Sequence, residues 1–225
     1  MKNNLFSKIK IQSNNLSKNS EINLSKRFSK IFLEVKKDVS DNQKTLNVLN
    51  KKYKFKFKIK DLKKFRKYKS VAVIGMGGSI LGAEAIYNFF HGKIKKKFYF
   101  FNDLDEKKII DFKKNENISK VLFIIISKSG NTLETISNTF SLNIIKKNSK
   151  NVILISEKKN NQLFNLSKKF NLFHIEHNKY IGGRFSVLSE VGMIPAYFMG
   201  LNIFKIRSNL LDCFKKKNTI FVKDN

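Results

Sequence analysis

One cysteine, one proline and no tryptophan occur in the chain, beside four arginines and 17 acidic residues. Each scarcity excludes something. Cys213 has no partner within the chain, so neither a disulfide framework nor a cysteine-built metal site is expected. No apolar run of about 18 residues exists, so no helix is expected to span a bilayer. No apolar segment followed by a small-residue cleavage site opens the chain, so no secretory signal is read and a cytoplasmic protein is the default. Residues 1–70 contain neither glycine nor proline, which leaves the glycine loops to the rest of the chain. Hydrophobic residues are not short: 41% of the chain is hydrophobic and 12% aromatic, which excludes disorder.

What is abundant is lysine. Forty-two lysines give a formal charge of +29. Lys, Asn, Ile and Phe together make 117 of the 225 residues, and all four have A- and T-rich codons. A genomic base bias produces such a composition without a functional cause. Clustered positive charge releases counterions from nucleic-acid phosphates. Against that reading, arginine, the usual reader of base edges, is scarce, and the lysines are spread throughout. The densest run, Lys51–Lys69, alternates lysine with aromatics (KKYKFKFKIK). It reads as a weak polyanion binder or, more simply, as a half-buried strand or solvated face.

Two regions differ in pattern. In residues 20–38, Ile22, Phe28, Phe32 and Val35 recur near helical spacing, so residues 1–69 read as a mainly helical extension that packs on the rest of the chain. From residue 70 strands and helices alternate. Val71–Ile74, Phe98–Phe101, Val121–Ile126, Val152–Ile155 and Leu172–Ile175 read as strands. Helices are expected over 79–90, from the acidic residues at 103–106, over Thr132–Lys147, 161–170 and, despite Pro195, 186–199. Strands of continuous Val, Ile and Phe are buried on both faces. Strand–helix alternation makes the sheet parallel. The expected fold is three-layer α/β over residues 70–205, with 206–225 a C-terminal tail. Ligands in such folds bind beyond the carboxyl ends of the strands.

Three segments there carry chemistry. Gly75-Met76-Gly77-Gly78-Ser79-Ile80-Leu81-Gly82 places four glycines where a helix begins, which suits an anion at close range. A dinucleotide site is the competitor, with Asp103 as an acidic ribose ligand, but its G-x-G-x-x-G spacing fails at Ile80. Ser127-Lys128-Ser129-Gly130-Asn131-Thr132 offers three hydroxyls, a cation and free N–H groups at another helix start, the makings of a phosphate cup. Ordinary N-capping by Ser129 or Thr132 is the plain alternative. Ile181-Gly182-Gly183-Arg184-Phe185-Ser186 adds one of the rare arginines, a planar fork suited to a fixed oxyanion.

Together, VIGMGGSILGAEA, FIIISKSGNTLETISN and YIGGRFSVLSEVGMIPA resemble glucose-6-phosphate isomerase, over roughly residues 70–200. The first two loops are shared among sugar-isomerase (SIS) domains, and GGRFS is specific to the family. The resemblance implies a five-stranded parallel sheet with helices on both faces. It also implies that Gly78 and Ser79 lie against the sugar phosphate and that Ser127, Lys128, Ser129 and Thr132 hold its phosphate. Arg184 would stabilise the enediolate as a proton moves between C2 and C1. No metal or organic cofactor is implied, and full-length members dimerise. Lys179 and Glu190 depart from the usual pattern, where an acidic residue and a small residue or proline are common. The family's glutamate base, ring-opening histidine and C-terminal lysine come from a later region with no match here, so the chain reads as an N-terminal portion, weak or inactive alone. Glu134, His174 and His177 are not promoted to base. The rival readings are a non-catalytic SIS module that binds a phosphosugar, and nucleic-acid binding through Lys51–Lys69. Neither a specific nucleic-acid partner nor a membrane is expected.

Overall fold

A computed structural model describes residues 17–212; Cys213 and most of the expected C-terminal tail lie outside the described residues. Helix α1 (Lys18–Ser40) opens it, capped by the Ser17 hydroxyl, which accepts from Ser20 N–H. Phe28, Phe32 and Val35 are half-buried along one stripe, while Ile22, Leu24, Ile31 and Leu33 are exposed. Only the end of α1 docks firmly, where Val39 is buried and its carbonyl accepts from the Asn47 and Asn50 side-chain amides.

The lysine–aromatic alternation is resolved into an extended, half-buried segment. Tyr53, Phe55, Phe57 and Ile59 turn inward, and Lys52, Lys54, Lys56, Lys58 and Lys60 stay exposed. Phe55, Phe57 and Ile59 pack against buried Met193, Ala196 and Ile203. The segment pairs with no strand, so it is a strap rather than part of a sheet. The short helix α2 (Ile59–Leu62) comes next and delivers Leu62 and, just beyond it, Phe65 into the core.

The sheet has five parallel strands in the order β2-β1-β3-β4-β5: β1 Ser70–Gly75, β2 Lys97–Phe101, β3 Val121–Ile126, β4 Val152–Ser156 and β5 Phe173–Glu176. Period-two alternation divides the strand residues between two cores. Val71, Val73, Leu122, Ile124, Ile153 and Ile155 face α3 (Leu81–Phe90) and α7 (Glu190–Phe198). Ala72, Ile74, Phe123, Ile125, Val152 and Leu154 face α4 (Glu106–Asn115), α5 (Leu133–Ser141) and α6 (Gln162–Lys169). The three-layer α/β arrangement and the five parallel strands are those expected from the sequence.

Two helices differ from expectation. The one expected over 132–147 ends at Ser141. Asn143 adopts a left-handed conformation (φ 53°) that terminates it, and Leu142 and Ile144 turn into the second core. The one expected over 186–199 splits at Ser189, whose backbone is extended and whose hydroxyl caps α7. A short helix, α8 (Ile203–Ile206), closes the described chain.

Candidate active site

Strand order reverses direction between β1 and β3, and this switch point is where ligands bind in open parallel sheets. Gly75 and Ile126 are register partners, so the loops after the two strands leave the sheet side by side.

The loop after β3 gathers three hydroxyls into a partial ring centred on Ser127. Ser127, 1% exposed, places its Oγ 2.8 Å from Thr132 Oγ1 and 3.4 Å from Ser129 Oγ. Its Oγ also accepts from Gly130 N–H at 3.1 Å, and Ser129 Oγ accepts from Asn131 N–H at 3.2 Å. Thr132 occupies the N-cap of α5 but makes no capping hydrogen bond with its side chain. Its hydroxyl turns into the ring instead, so simple N-capping does not account for it. The first-turn N–H groups of α5 have no intrahelical acceptor and carry the helix's partial positive charge. Gly130 is in a left-handed conformation (φ 71°), and a Cβ there would stand 1.8 Å from Asn161 Oδ1. That amide caps α6 and donates to Glu157 O, so α6 braces the loop from outside.

The glycine loop after β1 meets the arginine loop in backbone contact. A Cβ on Gly78 would stand 2.3 Å from Gly183 O and 3.0 Å from Arg184 N. The Ser186 hydroxyl reaches Gly78 O (3.0 Å) and Gly183 O (2.7 Å), which locks the approach. Ser79 is half-buried at the same turn. Arg184 is exposed, with its guanidinium 5.7 Å from the Phe185 ring centroid, and it joins no ion pair among the described residues. A cation without a fixed carboxylate keeps its charge available for a ligand.

Lys128 leans away from the ring. Its ammonium donates to Lys179 O at 2.8 Å and lies 3.9 Å from Glu157. Glu157 also pairs with Lys159. Glu134 sits in the first turn of α5, half-buried and favourable to the helix dipole. Burial pushes the His174 pKa down to about 4 and lowers that of His177, so both rings are neutral at neutral pH. His174 bonds Ser156 Oγ at 3.0 Å. Neither histidine touches Arg184 or the hydroxyl ring by any hydrogen bond among the described residues.

Sequence reasoning missed a buried polar clip behind the arginine loop. Glu190, 1% exposed, accepts from Tyr53 Oη (2.9 Å) and from Lys56 N–H (2.7 Å). Arg207 stacks on the Tyr53 and Phe55 rings and donates to the carbonyls of Leu188, Val48 and Asn50. The clip ties the strap to the end of the arginine loop. Its one sequence signal was Glu190, where a smaller residue is usual. Burial raises the Glu190 pKa despite its donors. A raised carboxyl pKa contributes stability below its ordinary range, lost as pH rises through the folded value. Glu190→Gln is therefore expected to flatten the pH dependence of denaturation midpoints above the ordinary carboxylate range. Glu190→Ala leaves two part-buried donors, Tyr53 Oη and Lys56 N–H, without their acceptor and is expected to destabilise by about 1–3 kcal/mol in chemical denaturation.

The family model of phosphoglucose isomerase matches residues 2–221. A probable glucose-6-phosphate isomerase of Methanococcus maripaludis is 34% identical over 171 residues, covering 72% of this chain and 38% of that protein. The glucose-6-phosphate isomerase of Methanocaldococcus jannaschii is 38% identical over 143 residues, covering 62% of this chain and 35% of its own length. A solved structure of a hypothetical protein from Thermus thermophilus superposes with a TM-score of 0.67 at 20% identity, over 85% of this chain and 48% of that one, which shows the shared fold. The chain thus spans little more than a third of the length of these two curated relatives. Matched along nearly all of its residues, with the parallel sheet and the three loops in their expected order, the chain belongs to the phosphoglucose isomerase family.

Proposed function

We propose that this chain forms the sugar-phosphate-binding part of a glucose-6-phosphate isomerase, interconverting glucose 6-phosphate and fructose 6-phosphate. Ser127, Ser129, Thr132 and the first-turn N–H groups of α5 hold the phosphate, with Lys128 adding charge at the rim. Gly78 and Ser79 lie along the sugar. Arg184 faces C1 and C2 of the opened chain, where moving a proton from C2 to C1 puts negative charge on the enediolate oxygens. A positioned guanidinium stabilises charge that develops only in the transition state. The observation that supports this reading is the Gly78–Gly183 backbone contact, which joins the arginine loop to the glycine loop of β1, the strand in register with the one that carries the three hydroxyls.

Proton transfer also needs a base. Among the described residues Glu157 is committed to Lys159 and Lys128, and Glu134 to a helix start. The chain by itself is therefore expected to bind and to turn over slowly or not at all. That same observation favours a phosphosugar-binding module as the second reading. A cytoplasmic setting and a dimeric full-length enzyme belong to the first reading. No helix among the described residues is long and apolar enough to cross a membrane.

Calorimetric titration of the purified chain separates the possibilities. Fructose 6-phosphate should bind saturably and fructose should not. Ser127→Ala and Thr132→Ala should each weaken binding by about tenfold, the value of one charge-assisted hydrogen bond. Equal binding of both sugars would remove the phosphate cup from the proposal. Rapid isomerisation by the chain alone would contradict its need for a base from elsewhere.

A further inference from the structure

A cavity of about 730 Å³ lies between the strap and the loops after β4 and β5. It does not include Gly78, Ser79, Ser127, Ser129, Thr132 or Arg184, so it is separate from the hydroxyl ring. One wall is residues 40–56 of the extension, and the other is residues 157–159 and 176–180. The walls are joined by Thr45 Oγ1, which donates to Tyr180 O at 2.6 Å, and the Glu190–Arg207 clip holds the strap in place.

Six lysines and two glutamates border this space. Both glutamates are already paired, Glu176 with Lys56 and Glu157 with Lys159. Lys52, Lys54, Lys158 and Lys179 join no ion pair among the described residues. Six lysines against two glutamates leave the border of the cavity net positive, and an anion placed there relieves the repulsion among them.

Charge alone would accept any anion. The wall also contains His177, which is 2% exposed yet borders the cavity. Its Nδ1 lies 2.9 Å from Asn178 O. A carbonyl oxygen only accepts, so Nδ1 carries the hydrogen and Nε2 is left with a lone pair in the neutral ring. Nε2 makes no hydrogen bond among the described residues. An acceptor with no hydrogen-bond partner among the described residues, on a ring that borders a basic cavity, suits a ligand that also brings a donor, such as the hydroxyl of a small phosphorylated polyol.

The geometry points to a second ligand site in this cavity, selective for small phosphorylated polyols: the lysines take the phosphates and His177 Nε2 takes a hydroxyl. The site stands whether or not the sugar-phosphate reading of the hydroxyl ring holds. Its volume falls within the range of small-molecule pockets.

The test is calorimetry on the whole 225-residue chain at physiological salt, with fructose 1,6-bisphosphate as the probe. It uses a Ser127→Ala/Thr132→Ala background so that the ring contributes little. Saturable binding is expected there. Adding Lys54→Glu and Lys158→Glu should weaken it by about 30-fold, because two charge-assisted contacts are lost. The remote exposed pair Lys30→Glu and Lys113→Glu changes net charge equally and should alter affinity less than about threefold through screened long-range attraction. His177→Phe should weaken the bisphosphate about tenfold but leave inorganic pyrophosphate, which has no hydroxyl like a polyol's, within about twofold. Absence of saturable binding in the background, or equal losses from the near and remote lysine pairs, would overturn the site. Equal loss of both probes on His177→Phe would overturn the hydroxyl selectivity. The lysine variants are on the surface, so that arm decides even if His177→Phe fails to fold.

Discussion

Gly78→Ala is expected to abolish productive sugar-phosphate binding while leaving the sheet intact. The added methyl would meet Gly183 O at 2.3 Å and Gly183 C at 2.4 Å, both backbone atoms. No side-chain rotation relieves such a contact. The glycine and arginine loops must separate by about 1 Å to restore van der Waals distance. That breaks the Ser186 hydrogen bond to Gly78 O, the one that spans the two loops, and shifts Arg184 away from the glycine loop. A displacement of about 1 Å in a positioned group lowers rates by about 100-fold, and affinity for a ligand bridging the loops falls with it. Overpacking of this kind costs about 1–3 kcal/mol of stability, which leaves the fold standing. Gly92→Ala is the control, since a Cβ there meets nothing within 4 Å. Titration with fructose 6-phosphate, alongside far-UV circular dichroism, reads both effects. Unchanged affinity in Gly78→Ala would mean that the loop contact does not position the ligand.

The β1, β3 and β4 strands were legible because each is a continuous apolar run, rich in Val and Ile, buried on both faces, and nothing competes with that signal. The loops were legible because glycine, serine and arginine clusters occur where strands end. The extents of two helices were not. Residues 142–147 carry the apolar spacing of a helix, but Asn143 in a left-handed conformation ends it, and Leu142 and Ile144 reach the core from an irregular turn. Local periodicity records that a side chain is buried, not which backbone carries it there. Arginine scarcity is a partial guide for the same reason. It singles out Arg184 and applies equally to Arg207, but Arg207 proves to be committed to three backbone carbonyls and two rings. Only the spatial partners distinguish Arg207, which ties the strap to the arginine loop, from Arg184, which joins no ion pair among the described residues. The partners of Arg207 lie at residues 48–55 and 188, separations that no short motif spans. The strap shows a third limit. Its alternation reports half-burial correctly, yet the lysines on its outer side read as codon-biased surface, because the cavity they border forms only when residues 157–159 and 176–180 come opposite.

In any preparation of this chain that interconverts the two hexose phosphates, Arg184→Ala should lower kcat by about 100- to 1,000-fold and change KM little. The reason is what the guanidinium lacks. It has no carboxylate partner among the described residues, so ground-state binding of a neutral carbonyl or hydroxyl gives it little to gain. In the proposed site the phosphate sits on Ser127, Ser129 and Thr132, whose hydrogen bonds do not include Arg184. On the proposed role, full negative charge near the arginine arises only when the C2 proton leaves, so its interaction strengthens in the transition state and its removal lowers kcat/KM and kcat together. Arg184→Lys should recover only part of the loss. An ammonium keeps the charge but not the planar fork that addresses two adjacent oxygens. Ser127→Ala sets the contrast, raising KM with less effect on kcat, because a phosphate contact is equally present before and during reaction. Steady-state kinetics of the three variants separate the roles. A rise in KM at constant kcat for Arg184→Ala would make the arginine part of the phosphate clamp and take the enediolate from it.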